Sequence, residues 1–133
     1  MAASVTPFLM FEGRAEEAMK HYCEVFPNTS IAAVRRYGAG EGGPEGTVML
    51  AKLDLNGQAI NVIDSPVEHG FTFTPAFSLF ATFDSEAEID AAFAKLSNGG
   101  EVLMPLDRYP FAAKFGWLND RFGVSWQLDF QGA

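Results

Sequence analysis

One cysteine, two histidines and nine basic residues are few for a chain of 133. Cys23 has no second cysteine to bond with, so no disulfide within the chain is available. His21 and Cys23 lie two apart in a helical stretch and point in different directions, so they make neither a metal pair nor a nucleophile and its base. Nine Lys and Arg stand against 17 Asp and Glu, a net charge of −8, and no basic stripe interrupts the acids. Nucleic acid and an anionic membrane surface are therefore not expected partners. No apolar run approaches the length of a membrane helix. The opening "MAASVTPFLMF" has neither the charged region nor the long apolar run of a leader. A soluble cytoplasmic protein is the expectation.

Hydrophobic residues make up 48% of the chain, including 13 Phe and two Trp. That is a globular composition, and the length suits one domain, here residues 1–133. The aromatics are more than two amphipathic helices can cover on one sheet face. They call for a large core, an apolar cavity or a second copy of the chain, and a homodimer is expected.

The periodicity alternates between strand and helix. Residues 5–11 read as a strand, with Pro7 near its start. A helix follows over about 14–26, carried by Ala15, Ala18, Met19, Tyr22 and Phe26 and stopped by Pro27. Residues 30–37 form a strand, and "GAGEGGPEG" (38–46) a glycine-rich loop. Residues 47–55 and 58–64 pair across Asn56-Gly57, a strong hairpin signal. The pattern then restarts: a strand over 73–83, a helix begun by the capping box Ser85–Glu88 and ended at Gly99-Gly100, and strands near 101–105, 113–119 and 123–130.

Each half thus reads β-α-β-β-β, in modules 5–64 and 73–130. Sliding the chain by 72 residues sets Phe8 on Phe80, Phe11 on Phe83 and Glu12 on Asp84, the mark of an internal duplication. In the final strand Val124, Trp126, Leu128 and Phe130 share one face; Ser125, Gln127 and Asp129 share the other.

Other chemistry finds little support. "GAGEGG" is followed by no helix, so it does not read as a glycine-rich nucleotide-type turn. His69 stands near Glu68 and Asp64 in "DSPVEHG", and the choice there is an adventitious cation site or a solvated loop.

The segments "TPFLMFEGRAEEAMKHYCEVFPN" (6–28), "LNGQAINVIDS" (55–65), "FTFTPAFSLF" (71–80) and "LSNGGEVLMPLDRYPFAAKFGWLNDRFGVSWQL" (96–128) carry a resemblance that spans nearly the whole chain. They resemble the vicinal oxygen chelate superfamily, which includes glyoxalase I and bleomycin-resistance proteins. The likeness is closer to its PhnB-like, demethylubiquinone methyltransferase-like branch. The resemblance implies an α+β fold, two βαβββ modules forming a curved, mostly antiparallel eight-stranded sheet. Helices would cover its convex face, and a cup would open on the other.

In metal-dependent members, four His, Glu or Gln ligands line the cup. The resemblance carries those positions to Thr6, Asn61, Ser78 and Gln127, a wholly neutral set. No metal and no cofactor are expected. The expected ligand-binding residues are Thr6, Phe8, Asn61, Ser78, Phe80, Gln127 and Asp129. Asp129 reads either as a cup acid or as a residue past the rim in solvent. A metal-free cup binding a small, partly apolar organic molecule is the first reading. A divergent enzyme of the superfamily, metal-dependent or a methyltransferase as the label suggests, is the alternative, and a cup filled by its own core is a third.

Overall fold

A computed structural model describes residues 3–132; residues 1, 2 and 133 of the expected 1–133 domain lie outside it. The chain divides into two units, one running to Gly70 and one from Phe71. The first contains β1 (Phe8–Phe11), α1 (Ala15–Val25), β2 (Thr29–Arg36), β3 (Val48–Leu55) and β4 (Gln58–Asp64). The second contains β5 (Leu79–Phe83), α2 (Glu86–Ser97), β6 (Glu101–Tyr109), β7 (Ala112–Asn119) and β8 (Ser125–Phe130). Both carry the β-α-β-β-β order that the pattern predicts, in the α+β class that the resemblance implies.

The eight strands form two sheets of four, ordered β1-β4-β3-β2 and β5-β8-β7-β6. In each, the first strand pairs parallel with the fourth, and the other pairs are antiparallel. The registers match as well. Phe8 stands opposite Asn61 in the first sheet, and Phe80 stands opposite Gln127 in the second. The 72-residue slide that joins Phe8 to Phe80 therefore joins equivalent places in two equivalent sheets.

Strand alternation decides which side each residue takes. Leu9, Phe11, Ala51, Leu53, Ile60 and Val62 are buried in the first unit, on the side that α1 packs with Ala18, Met19 and Tyr22. In the second unit Leu118, Trp126 and Leu128 are buried on the side of α2 and its Ile89, Ala92, Phe93 and Leu96. Fully burying one such side chain stabilises the fold by about 1.5–3 kcal/mol. Lys114 fixes the parity: it pairs with Phe130 across the strands and bonds Asp90 at 2.6 Å and Glu86 at 2.9 Å on α2. Asp90 first, then Glu86, holds its ammonium above the ordinary lysine range.

The two helices start differently. Ser85 caps α2, its hydroxyl accepting the Glu88 amide at 3.2 Å, as the capping box predicts. The residue before α1 is Arg14, whose side chain caps nothing. Asp64, at the end of β4, supplies the acceptor instead. Its Oδ1 takes the amides of Gly13 at 2.8 Å and Ala15 at 2.9 Å, and its Oδ2 takes that of Val48 at 3.0 Å. The equivalent place in the second unit is Phe130, which a self-capped helix permits.

Several strands depart from their expected bounds: β8 begins at Ser125 rather than 123, and β6 runs on to Tyr109, past the expected 105. The one expected over 73–83 begins only at Leu79, because Pro75 has no amide for a ladder and Phe77 N–H turns back to the Thr74 carbonyl at 3.3 Å. The one expected over 5–11 begins at Phe8, just past Pro7. The Asn56-Gly57 hairpin is as expected, with φ of 50° and 94°.

Candidate functional site

The sheet face turned away from the helix holds the candidate residues in both units. In the first unit, Phe8, Asn61 and Lys52 lie in one row across β1, β4 and β3. Thr6 stands two residues before Phe8, outside β1, and the Asn61 amide donates to the Pro7 carbonyl at 2.9 Å. Phe8 is 53% exposed.

The second unit carries more. Phe80, Gln127 and Trp117 form the equivalent row across β5, β8 and β7. Ser78 stands just before β5 and continues its alternation to a place beside Ser125. There its hydroxyl meets the Ser125 hydroxyl at 2.7 Å. Trp117 Nε1 donates to Ser125 Oγ at 2.9 Å, and Gln127 Nε2 donates to Ser78 Oγ at 3.3 Å. Four side chains thus form one connected polar set, with Ser125 only 2% exposed at its base.

Beside this set lies an aromatic cluster. Phe115 is 5% exposed and central. It meets Phe111 edge-on at 5.0 Å, Tyr109 edge-on at 5.9 Å and Phe80 at 6.4 Å. Phe80 and Phe111 are 59% and 56% exposed, so the cluster presents open ring surface next to hydrogen-bonding groups. Such pairs add roughly 0.5–1.5 kcal/mol beyond their buried area and hold the rings in place.

Asp129 corrects the reading that put it past the rim in solvent. It is 6% exposed, in register with Thr82 and Phe115, and both its oxygens accept from Gln131 Nε2 at 2.8 and 2.9 Å. The side chain two residues on covers it, which strand alternation alone does not reveal.

Of the expected site residues, Ser78, Phe80, Gln127 and Asp129 share one face of the second unit, and Phe8 and Asn61 share one face of the first, with Thr6 two residues before β1. Trp117, Tyr109, Phe111 and Phe115 are absent from the expected set. The alternation in "KFGWLN" was the available signal, since it sets Phe115 and Trp117 on the side of Gln127.

The four positions that the resemblance carries over from metal-dependent proteins do not fit a metal in this chain. Ser78 and Gln127 are neutral and hydrogen-bonded to each other, and Thr6 and Asn61 add no charge. Among the described residues, no three His, Cys, Asp or Glu side chains gather where they could hold an ion. The Asp64–His69 proximity also dissolves. Asp64 is turned onto backbone amides, and His69 Nε2 meets Ser65 Oγ at 2.8 Å.

Comparison with known proteins agrees with this architecture. Residues 3–129 match the model of the family described as 3-demethylubiquinone-9 3-methyltransferase. A Bacillus cereus protein, provisionally described as a 3-demethylubiquinone-9 3-methyltransferase and PhnB protein, is 54% identical. The match covers 96% of this chain and 99% of that one, with a TM-score of 0.93. Protein PA1353 of Pseudomonas aeruginosa is 28% identical over 98% of each chain, with a TM-score of 0.84. A glyoxylase/bleomycin resistance protein/dioxygenase domain from Frankia shares the fold at 14% identity, covering 99% of this chain and 94% of that one, with a TM-score of 0.66. No curated protein matches.

Proposed function

The chain belongs to the 3-demethylubiquinone-9 3-methyltransferase family, PhnB-like proteins of the vicinal oxygen chelate superfamily, and from that premise we propose that it binds a small, partly apolar organic molecule. The proposed site is the face of the second unit turned away from α2. One observation carries the reading: open aromatic surface at Phe80 and Phe111 adjoins the hydrogen-bonded set Ser78–Ser125–Trp117–Gln127. Rings bury apolar area, and a few polar groups fix orientation. In the first unit taken by itself, Thr6, Phe8 and Asn61 are proposed as ligand contacts on the equivalent face.

The family's description names a methyltransferase, but the glycine-rich segment 38–46 lends that activity no support. It joins the antiparallel strands β2 and β3, and no helix N-terminus follows to receive a nucleotide-like cofactor.

A homodimer is part of the proposal. Phe71 and Phe77, outside the proposed binding set, are each more than half exposed in the single chain. A stable pair should bury above about 1,000 Å² in total. A cytoplasmic location suits a chain whose one cysteine is a free thiol, and no helix among the described residues is long and apolar enough to cross a membrane.

A thermal-shift screen of small aromatic compounds tests the binding. At about 100 times its dissociation constant a true ligand adds roughly 2.7 kcal/mol of stability. The Gln127→Ala variant should lose most of that gain while keeping its own fold. A gain of equal size in the variant overturns the site. Light scattering checks the dimer, and a mass near 14.5 kDa, that of one chain, overturns it.

A further inference from the structure

We infer that Trp117, Ser125, Ser78 and Gln127 form an oriented donor chain, whose open end favours a ligand that meets this face with an uncharged, carbonyl-type acceptor. The inference rests on the small-molecule reading above and deepens it.

Hydrogen accounting supplies the orientation. Trp117 brings one N–H, each serine one O–H, and Gln127 two N–H. The indole N–H can only donate, and it donates to Ser125 Oγ at 2.9 Å. The Ser125 hydroxyl then needs an acceptor of its own. Ser125 is 2% exposed, and Ser78 Oγ at 2.7 Å is the only other group its side chain meets among the described residues. If Ser78 donated to Ser125 instead, the Ser125 proton would be buried without an acceptor, a costly arrangement. The favoured direction is therefore Trp117 to Ser125 to Ser78.

That direction leaves spare donors at the open end. The three contacts within the set use three of the hydrogens, and two remain, one on Ser78 and one on Gln127. Turning the Gln127 amide over changes which atoms carry the spare hydrogens, not how many there are. Ser78 and Gln127 are both only partly buried, so these donors reach the surface beside the Phe80 ring. Each link polarises the next, which strengthens the final donor.

Charge narrows the acceptor further. Lys114, the one basic residue of β7, points to α2 and is taken up by Glu86 and Asp90. The carboxylate of Asp129 stands on the same face as Gln127. An anionic ligand would feel that covered carboxylate's charge through space, with no countercharge from β5, β7 or β8. A ketone, amide or quinone-type oxygen on a planar ring meets the donors and the aromatic wall without that conflict.

The test uses acetophenone and α-methylstyrene, which share a planar shape and differ by C=O against C=CH2. They are titrated to millimolar concentration into the full ¹⁵N-labelled chain. The two tryptophans give two indole N–H signals, and Trp126, bonded to Asp120 on the other side of the sheet, serves as the internal control. The expected result is that acetophenone binds about tenfold more tightly, the ratio that one well-made hydrogen bond gives. It should also move the Trp117 indole signal and leave that of Trp126 in place. Ser78→Ala should bring the ratio close to one. Trp117→Phe, which keeps an aromatic ring and removes the indole N–H, should lower the ratio as well. Equal affinities, with shifts at the Phe80 and Phe115 amides, would overturn the donor chain and leave the binding face standing. If neither compound perturbs this face, both readings are overturned.

Discussion

The indole N–H of Trp126 donates to Asp120 Oδ2 at 2.9 Å, and Asp120 Oδ1 takes the backbone amides of Phe122 at 2.9 Å and Val124 at 3.0 Å. One carboxylate, 3% exposed, thus shapes the β7–β8 turn and anchors the largest side chain of the core. Asp120→Ala removes the acceptor for all three donors. A loss of about 3 kcal/mol is expected, since bonds to a charged acceptor are stronger than neutral ones and the buried donors stay behind. Asp120→Asn should lose clearly less. Urea denaturation followed by tryptophan fluorescence measures both, and a midpoint unchanged in Asp120→Ala would refute the role.

The helix starts differ in what they depend on. Ser85→Ala removes one cap and should cost about 1 kcal/mol. Asp64→Ala removes the acceptor for the amides of Gly13, Ala15 and Val48 together, so a loss of about 3 kcal/mol is expected. Comparing the two urea midpoints checks the ranking. A larger loss in Ser85→Ala would reverse it.

Gly116 lies under α2, where an added Cβ would overlap the Phe93 ring. Gly116→Ala should cost about 1–3 kcal/mol through overpacking. Adding Phe93→Leu should return part of that loss, because the two positions touch. Additive losses in the double variant would count against the contact.

Burial first, and then the Glu24 carboxylate, push the Cys23 thiol above its ordinary value. Thiolate is the reactive form, so alkylation by iodoacetamide near pH 8 should run slower than in the urea-unfolded chain. The gap should narrow as pH rises through the elevated folded value. Equal rates at pH 8 in the folded and unfolded chain would contradict it.

Excess zinc or nickel should leave the melting temperature of tag-free protein unchanged, because Thr6, Asn61, Ser78 and Gln127 offer no charge to a divalent ion. A dose-dependent rise abolished by Gln127→Ala would overturn that expectation.

Much of this was legible in the sequence, for reasons that can be named. Period-two and period-3.6 patterns fixed the element order, and Asn56-Gly57 and Ser85–Glu88 act locally, so a short window contains their whole cause. The parity of Trp126 and Gln127 followed from alternation alone. What stayed hidden is long-range. Asp64 reaches an amide 51 residues away, and Ser78 meets Ser125 across 47. No window shows that Asp129 is covered by Gln131 while Phe80 stays open. The aromatic cluster escaped for a related reason: Tyr109 and Phe111 flank a turn, where periodicity stops carrying information, and only strand pairing brings them to Phe115.

The parallel pairing of first and fourth strands sets an order of events during synthesis. β5 pairs only with β8, made more than forty residues later, while β6 and β7 can pair as soon as both exist. Until β8 emerges, β5 has no ladder partner, and the hairpin β6–β7 has no link to it. Closing that separation costs chain entropy before any contact repays it, so β8 arrival is the expected slow step for this unit. The nascent chain meanwhile carries Leu79–Phe83, a short apolar strand with its edge unpaired, and that is the segment a chaperone would find.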